Sequence, residues 1–298
     1  MTDLFDDPEE AFVSRGKVRR RRGGWSWGPV ESARMRFLSL GAGIQSSTLV
    51  CMMIERTLPW VDHIIMADTG DERAATMEHV EWLRGAVARA TNGQTGFHVV
   101  ARSTRLSEEL QARYEGSRGY VTPPLYLEGR GQIQRQCTRY FKVIPLQRKQ
   151  RELLGYKKGE RIPPGISEVW IGISTDEVVR AGAAYENWAA NRFPLLELRM
   201  SRRDCERWLA EHGYPVPPKS ACIFCPYRSN LEWRRLKELD PAAFAEACAI
   251  DKRLREAPNV QRLAYLHDSR RPLAEVDFST AEENGQGMLN LCEGGCGL

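Results

Sequence analysis

Cys222-Ile-Phe-Cys225-Pro226 places two thiols three positions apart in a turn bounded by proline. At that spacing both sulfurs can converge on one metal ion or cluster, and a zinc knuckle or a dithiol redox pair uses the same arrangement. Cys137 stands just before a helical stretch, Arg139 to Leu154, and offers a third thiol. The chain ends in Cys292-Glu-Gly-Gly-Cys296-Gly-Leu298. A tail cysteine between glycines can swing into a crevice as a nucleophile, the role open to Cys296, or complete a metal site, the role open to Cys292. Cys51, Cys205 and Cys248 fall in helical stretches and read as packed small residues.

A second constellation lies near the start. Phe37, Leu38 and Leu40 read as a buried strand, Gly41-Ala-Gly43 as a small-residue turn, and Ser46, Ser47 and Thr48 as the opening of a helix that continues through Leu49 to Ile54. Strand, glycine turn and hydroxyl-bearing helix start together form an anion site, because backbone N–H groups and the helix dipole both face the turn. Glycine also serves such turns for steric reasons alone.

The elements that would hold these groups alternate. Val61–Ala67 reads as a strand ending in Asp68-Thr-Gly-Asp-Glu72. Arg73–Ala90 has the stripe of an amphipathic helix through Met77, Val80, Leu83 and Val87, and Phe97–Ala101 is a third strand. Glu168–Ile173 is a further strand, followed by the polar cluster Ser174–Arg180. Alternating strands and helices predict a parallel sheet with helices on both faces, Rossmann-like, with ligands at the strand C-terminal ends. Residues 116–136, rich in glycine and proline, read as a long active-site loop. Phe193–Leu198 reads as a short extended segment. Ser201-Arg-Arg-Asp204 and Ser229-Asn-Leu-Glu232 read as capping boxes, the first opening the helix Cys205–His212, and Asp240-Pro241 starts another helix to about Arg255. The expected division is a flexible charged arm (1–34), an α/β domain (35–200) and a helical, cysteine-bearing subdomain (201–298).

With 298 residues, 42% hydrophobic and 28% charged, the chain has an ordinary globular composition. No apolar run approaches the roughly 20 residues that span a bilayer, and no signal-peptide core is present, so no membrane partner and a cytoplasmic location are expected. Reduced thiols then favour metal ligands or reactive groups over disulfides. The net charge of +4 does not by itself imply nucleic acid. The arm, however, carries Arg15-Gly-Lys-Val-Arg-Arg-Arg-Arg22 followed by Trp25 and Trp27, a basic block with aromatic anchors that can grip RNA or DNA. The bland alternative is a solvated tail, its charges partly cancelled by Asp3, Asp6, Asp7, Glu9 and Glu10.

Taken together, Gly41-Ala-Gly-Ile-Gln-Ser46, Ala67-Asp-Thr-Gly-Asp-Glu72, Cys137-Thr-Arg-Tyr-Phe-Lys-Val-Ile-Pro-Leu146 and Gly172–Arg180 resemble, in order, four segments of the PP-loop ATP pyrophosphatase (adenine nucleotide alpha-hydrolase-like) superfamily, in its phosphoadenylyl-sulfate (PAPS) reductase-like branch. The resemblance covers about residues 35–230. It implies an adenine nucleotide, ATP or PAPS, held by Gly41, Ala42, Gly43, Gln45, Ser46, Ser47, Asp68, Thr69, Gly70 and Glu72, with Mg²⁺ at the phosphates. Lys142, Arg139 and Arg180 would meet phosphate or sulfate oxygens. Cys137, Cys222, Cys225 and Cys292 would hold a 4Fe-4S cluster, with zinc as the alternative. Gly41, Ala42 and Gln45 depart from the family's Ser-Gly-Gly-x-Asp-Ser loop, and Gln45 removes a carboxylate expected near the phosphates. Three functions are implied. The first is sulfur transfer to an adenylated substrate such as a nucleic-acid base, with a sulfur or electron donor. The second is reduction of nucleotide-bound sulfate through Cys296. The third is nucleic-acid binding without catalysis around a structural zinc.

Overall fold

The computed structural model describes residues 21–116, 122–256 and 262–279. In chain order the elements are β1 (Gly24–Ser26), β2 (Met35–Leu40), α1 (Ile44–Ile54), β3 (His63–Asp68), α2 (Ala74–Thr91), β4 (Gly96–Ala101), α3 (Leu106–Tyr114) and β5 (Tyr126–Leu127). A π-helical turn, Thr138–Val143, then runs into α4 (Ile144–Leu153), followed by β6 (Ser167–Ile171), a 3₁₀ turn (Thr175–Arg180), β7 (Ala189–Arg192), α5 (Pro194–Glu197), α6 (Arg202–Glu211), α7 (Asn230–Leu239), α8 (Pro241–Glu256) and β8 (Ala264–Tyr265).

Six strands form one parallel sheet in the order β1-β7-β6-β2-β3-β4. Residues alternate along each strand between two cores. Leu38, Leu40, Ile64, Met66 and Trp170 join the core under α1, α2 and α6, while Phe37, Ile65 and Val169 join the core under α4. Helices therefore cover both faces, the α/β architecture that the alternating pattern predicts. A third core gathers α3, α7 and α8 around Phe141, Phe224, Trp233 and Phe244. No helix among the described residues is long and apolar enough to cross a membrane.

Several boundaries differ from the sequence expectation. The arm assigned to residues 1–34 is part of the sheet from Gly24 onward, because β1 pairs in parallel register with β7 and Trp25 sets its ring edge-on to Phe193 at 5.5 Å. Phe193–Leu198 is not extended: Pro194 supplies a helix-compatible φ in the first turn of α5, and the adjacent Leu195 and Leu196 go to different cores. The stretch opening at Cys137 widens into a π turn before α4. Pro145 has no N–H for the Phe141 carbonyl and its ring would crowd that oxygen, so the backbone loosens there. Within 116–136, the described part folds back on itself, with Tyr126 bridging Gln132 and β5 pairing with β8. Helix α6 packs on α1 in the sheet's own core, through Cys205 and Leu209. Both capping boxes close as read, at Ser201–Asp204 and Ser229–Glu232.

Burial lowers the pKa of His63, His79, His98 and His267. Each takes up its proton at lower pH in the fold than in the unfolded chain, where it does so near pH 6.5, so around and below that pH the unfolded state binds more protons. Stability is expected to fall as pH drops from 7.5 to 5.5, read as a lower urea midpoint with an unchanged slope. A midpoint that rises on acidification would contradict this account.

Candidate functional site

Strands β2 and β6 are neighbours, and the chain leaves them toward opposite edges of the sheet, β2 toward β3 and β6 toward β7. That is the switch point of a doubly wound sheet, where the strand ends open a crevice. Gly41–Gly43 sits there, beneath the N-terminus of α1. The Gly41 N–H donates to Ser46 Oγ at 3.2 Å, and the Ser46 hydroxyl donates to the Gly43 carbonyl at 3.3 Å, so one side chain braces the whole turn. Ser47 is fully buried and meets His79 Nε2 at 2.9 Å, fixing the first turn of α1 to α2.

Ala42 and Gln45 each have a physical explanation in this turn. Ala42 adopts φ +54, a left-handed conformation that costs an alanine about 1 kcal/mol. Its methyl is fully buried in the α1–α2 core, and that burial offsets the cost by a similar amount. Gln45 is engaged on both ends: its Nε2 donates to Ser174 Oγ (3.5 Å) and Glu177 Oε2 (3.3 Å), and its Oε1 accepts from Arg202 Nη1 (3.3 Å). A carboxylate absent from the loop is thus present beside it, contributed by Glu177 from the segment after β6. Arg180 pairs with the same Glu177 at 2.5 Å, and Asp176 accepts from Ser174 at 3.2 Å and from the Arg202 N–H at 2.5 Å.

The cluster after β3 is held rigidly. Asp68 accepts the Gly70 N–H at 2.8 Å, and Gly70 takes φ +78 hard against Arg105. Asp71 is buried and accepts from the Ser107 N–H (2.8 Å), the Ser107 hydroxyl (2.7 Å) and Arg105 (2.9 Å). Burial raises its pKa despite these bonds. Its carbonyl accepts the Ile223 N–H at 2.8 Å, which ties this cluster to the CxxC turn.

Three sequence motifs meet at Thr69. Its hydroxyl lies 3.1 Å from Cys222 Sγ and 3.4 Å from Glu72 Oε1, and Lys142 Nζ lies 3.1 Å from the same Glu72 oxygen. The Glu72 side chain is 1% exposed and that of Lys142 34% exposed, so the carboxylate is the more deeply buried partner. The second Glu72 oxygen is buried without a protein partner. Burial lowers the Lys142 pKa, but Glu72 and then Cys222 outweigh it and leave the group firmly charged.

The thiols occupy the adjoining wall. Burial raises the pKa of Cys225, as it does for Cys222, and the nearby Cys137 raises Cys225 further; the Tyr227 backbone N–H, Arg228 and Arg135 act in the opposite direction. Soft sulfur donors beside cations suit a thiolate-bound metal or cluster, while burial favours the neutral thiols. Among the described residues, no three His, Cys, Asp or Glu side chains form a preformed metal-ion group. Arg228 is itself buried, donating to the Ala221 and Cys222 carbonyls at 3.1 and 3.0 Å, and its Nε has no protein partner. Arg139 stacks on Tyr140 and also has an unpartnered, buried Nε. Cys51 and Cys205 are buried in the sheet core, their thiols pushed up to about 12 and about 11, as packed residues should be.

The structure thus brings together the loop Gly41–Ser47 with Gln45 and Arg180, and separately joins Thr69, Glu72, Lys142 and Cys222. Cys292, Cys296 and the basic residues Arg15–Arg20 lie outside the described residues. Arg202, Glu177, Asp71 and Arg228 complete the site; the capping box at Ser201, the polar run after β6 and the Asp68–Glu72 cluster pointed toward the first three, and nothing in the sequence toward Arg228. No protein-family model and no curated protein matches this chain.

Proposed function

We propose that the chain is an adenine-nucleotide-binding enzyme of PP-loop type, in the PAPS reductase-like branch, that transfers sulfur to an adenylated substrate such as a nucleic-acid base. The observation that carries this reading is the meeting at Thr69, where a residue of the nucleotide motif touches both the Glu72–Lys142 pair and a CxxC thiol. Phosphate activation and sulfur chemistry then share one crevice. The α1 amides and Lys142 would bind the phosphates, Arg180 would swing from Glu177 to do the same, and Glu177 with Asp176 would supply the oxygen ligands for Mg²⁺ that Gln45 does not. In the adenylation step a substrate carbonyl oxygen attacks the α-phosphorus of ATP and pyrophosphate leaves; a sulfur nucleophile then displaces AMP.

Cys137, Cys222 and Cys225 would hold the metal group, and Cys296 would be a mobile nucleophile. A 4Fe-4S cluster held by these three thiolates alone would supply an open iron able to hold sulfur; alternatively Cys292 would complete the ligand set. The CxxC turn with α7 and α8 would form the helical lid that carries Cys222 and Cys225 over the crevice, α6 belonging to the sheet's own core.

A second reading, reduction of nucleotide-bound sulfate, is favoured by Gln45: a neutral, fully engaged amide in the loop suits a reaction in which no ATP bond breaks. The decisive assay measures pyrophosphate from ATP with and without RNA or DNA, beside sulfite from PAPS with a thiol donor. Nucleic-acid-dependent pyrophosphate supports sulfur transfer, and sulfite alone supports reduction. Neither product, with a colourless protein carrying stoichiometric zinc, would replace both by a non-catalytic nucleic-acid-binding role. A brown protein bleached by dithionite, and colourless as Cys222→Ala/Cys225→Ala, is the expected result.

A further inference from the structure

Because β1 runs parallel to β7, its C-terminal end points to the same end of the sheet as the crevice, with Ser26 in register with Arg192, the last residue of β7. Trp25 and Trp27 flank that end. They are 43% and 65% exposed, with ring centroids 5.7 Å apart and planes tilted by 39°. Two large indoles left in solvent side by side are costly unless something covers them. At the other, N-terminal end of β1, Tyr185 is 37% exposed, with the Arg21 guanidinium 5.3 Å above its ring. The backbone fixes this group firmly: Arg22 N–H donates to the Tyr185 carbonyl (3.3 Å), Gly23 N–H to the Ala184 carbonyl (3.0 Å), and Ala184 N–H to the Gly24 carbonyl (3.0 Å).

The patch is joined to the nucleotide loop through the core beneath it. Trp25 rests on Phe193, Phe193 packs with Ile173 in a core that Ala181 joins, and Ala181 follows the segment whose Glu177 bonds Gln45 and whose Val178 and Val179 are exposed. Charge selects the occupant. Arg21 and Arg22 lie at the start of β1, while the carboxylates Glu177 and Glu197 are matched by Arg180 and Arg192. Aromatic faces interleaved with arginine stack unpaired bases and hold a phosphate backbone, whereas the edges of paired bases are not open to them.

We propose that Trp25 and Trp27, with Tyr185 and Arg21 at the start of β1, form a stacking platform along β1 for single-stranded nucleic acid that leads an unpaired base to the crevice. The proposal rests on the nucleotide-binding reading only for what happens after the strand arrives, and the two are tested separately. Full-length protein is titrated into fluorescein-labelled oligo-dT, oligo-U and a duplex of about 20 units, read by anisotropy, and into mant-ATP, read by fluorescence. Trp27→Ala is expected to weaken single-strand binding by roughly 5- to 100-fold, the range of one lost base stack, and duplex binding by less than about twofold. The mant-ATP affinity and melting curve should be unchanged, since the Trp27 ring is mostly in solvent. Arg21→Ala/Arg22→Ala should flatten the salt dependence. Tighter binding to either oligomer supports the platform and names the polymer. Equal affinity of wild type and Trp27→Ala for single strands, equal losses on duplex, or no binding by wild type overturns it. Mant-ATP binding without oligonucleotide binding defeats the platform alone; the converse defeats the nucleotide reading alone.

Discussion

Lys142→Met should lower the free energy of unfolding by about 3 kcal/mol, the low end of what breaking a buried ion pair costs because the lysine is itself partly exposed. Glu72→Gln should cost only about 1 kcal/mol. The asymmetry follows from position. Lys142 can turn its ammonium to water when its partner is neutral, but Glu72 is the more deeply buried of the two, one oxygen already without a partner, and has nowhere to go. The double variant should recover most of the loss. Urea titrations of the three variants at pH 7.5 check this. A Glu72→Gln cost equal to that of Lys142→Met would show that the pair is not buried from one side. Nucleotide affinity should fall with Lys142→Met and survive Glu72→Gln.

Gly172→Ala should be the most damaging single-carbon change at the crevice. A Cβ there would stand 2.9 Å from the Ser46 nitrogen and 3.0 Å from its Cα, both backbone atoms of the first turn of α1. No side chain can move aside, so either the end of β6 or the helix N-terminus must shift. Overpacking of this kind costs roughly 1–3 kcal/mol. Displaced helix amides would no longer point at one anion, and mant-ATP affinity should drop by about tenfold or more. Gly213→Ala has open space around it but a positive φ, and it should lower stability alone. A Gly172→Ala protein that binds nucleotide normally would place the anion elsewhere.

The central unit from β2 to β4 is legible in the sequence because its strands are long apolar runs closed by glycine or acidic turns, and because α2 carries a clear stripe. The helix starts at Ser201 and Ser229 are legible for a local reason too, a hydroxyl and a carboxylate three residues apart. What is hidden has no local signature. β1 is Gly-Trp-Ser and β7 is Ala-Ala-Asn-Arg, too short for any alternation, and both are strands only because each pairs with a neighbour in the sheet. The site divides in the same way. The Gly41 turn, the Asp68–Glu72 cluster and the CxxC pair are readable from type and spacing. The bonds that give them their arrangement, Gln45 to Glu177 and Arg202, Thr69 to Cys222, and Ser47 to His79, join residues far apart in the chain, which no window of sequence contains.

The placement of β1 also sets an order of events during synthesis. Gly24 finds its partner at Ala190, so the first strand made is the last of the sheet to dock. At roughly 5–20 residues per second on the ribosome, it waits on the order of ten seconds or more for β7 to emerge. Throughout that interval β2, β3 and α1 can assemble, while the segment bearing Trp25 and Trp27 trails free and β7, once made, is briefly an open edge. A chain begun after Ser26 would keep that edge open for good, and should be prone to self-association.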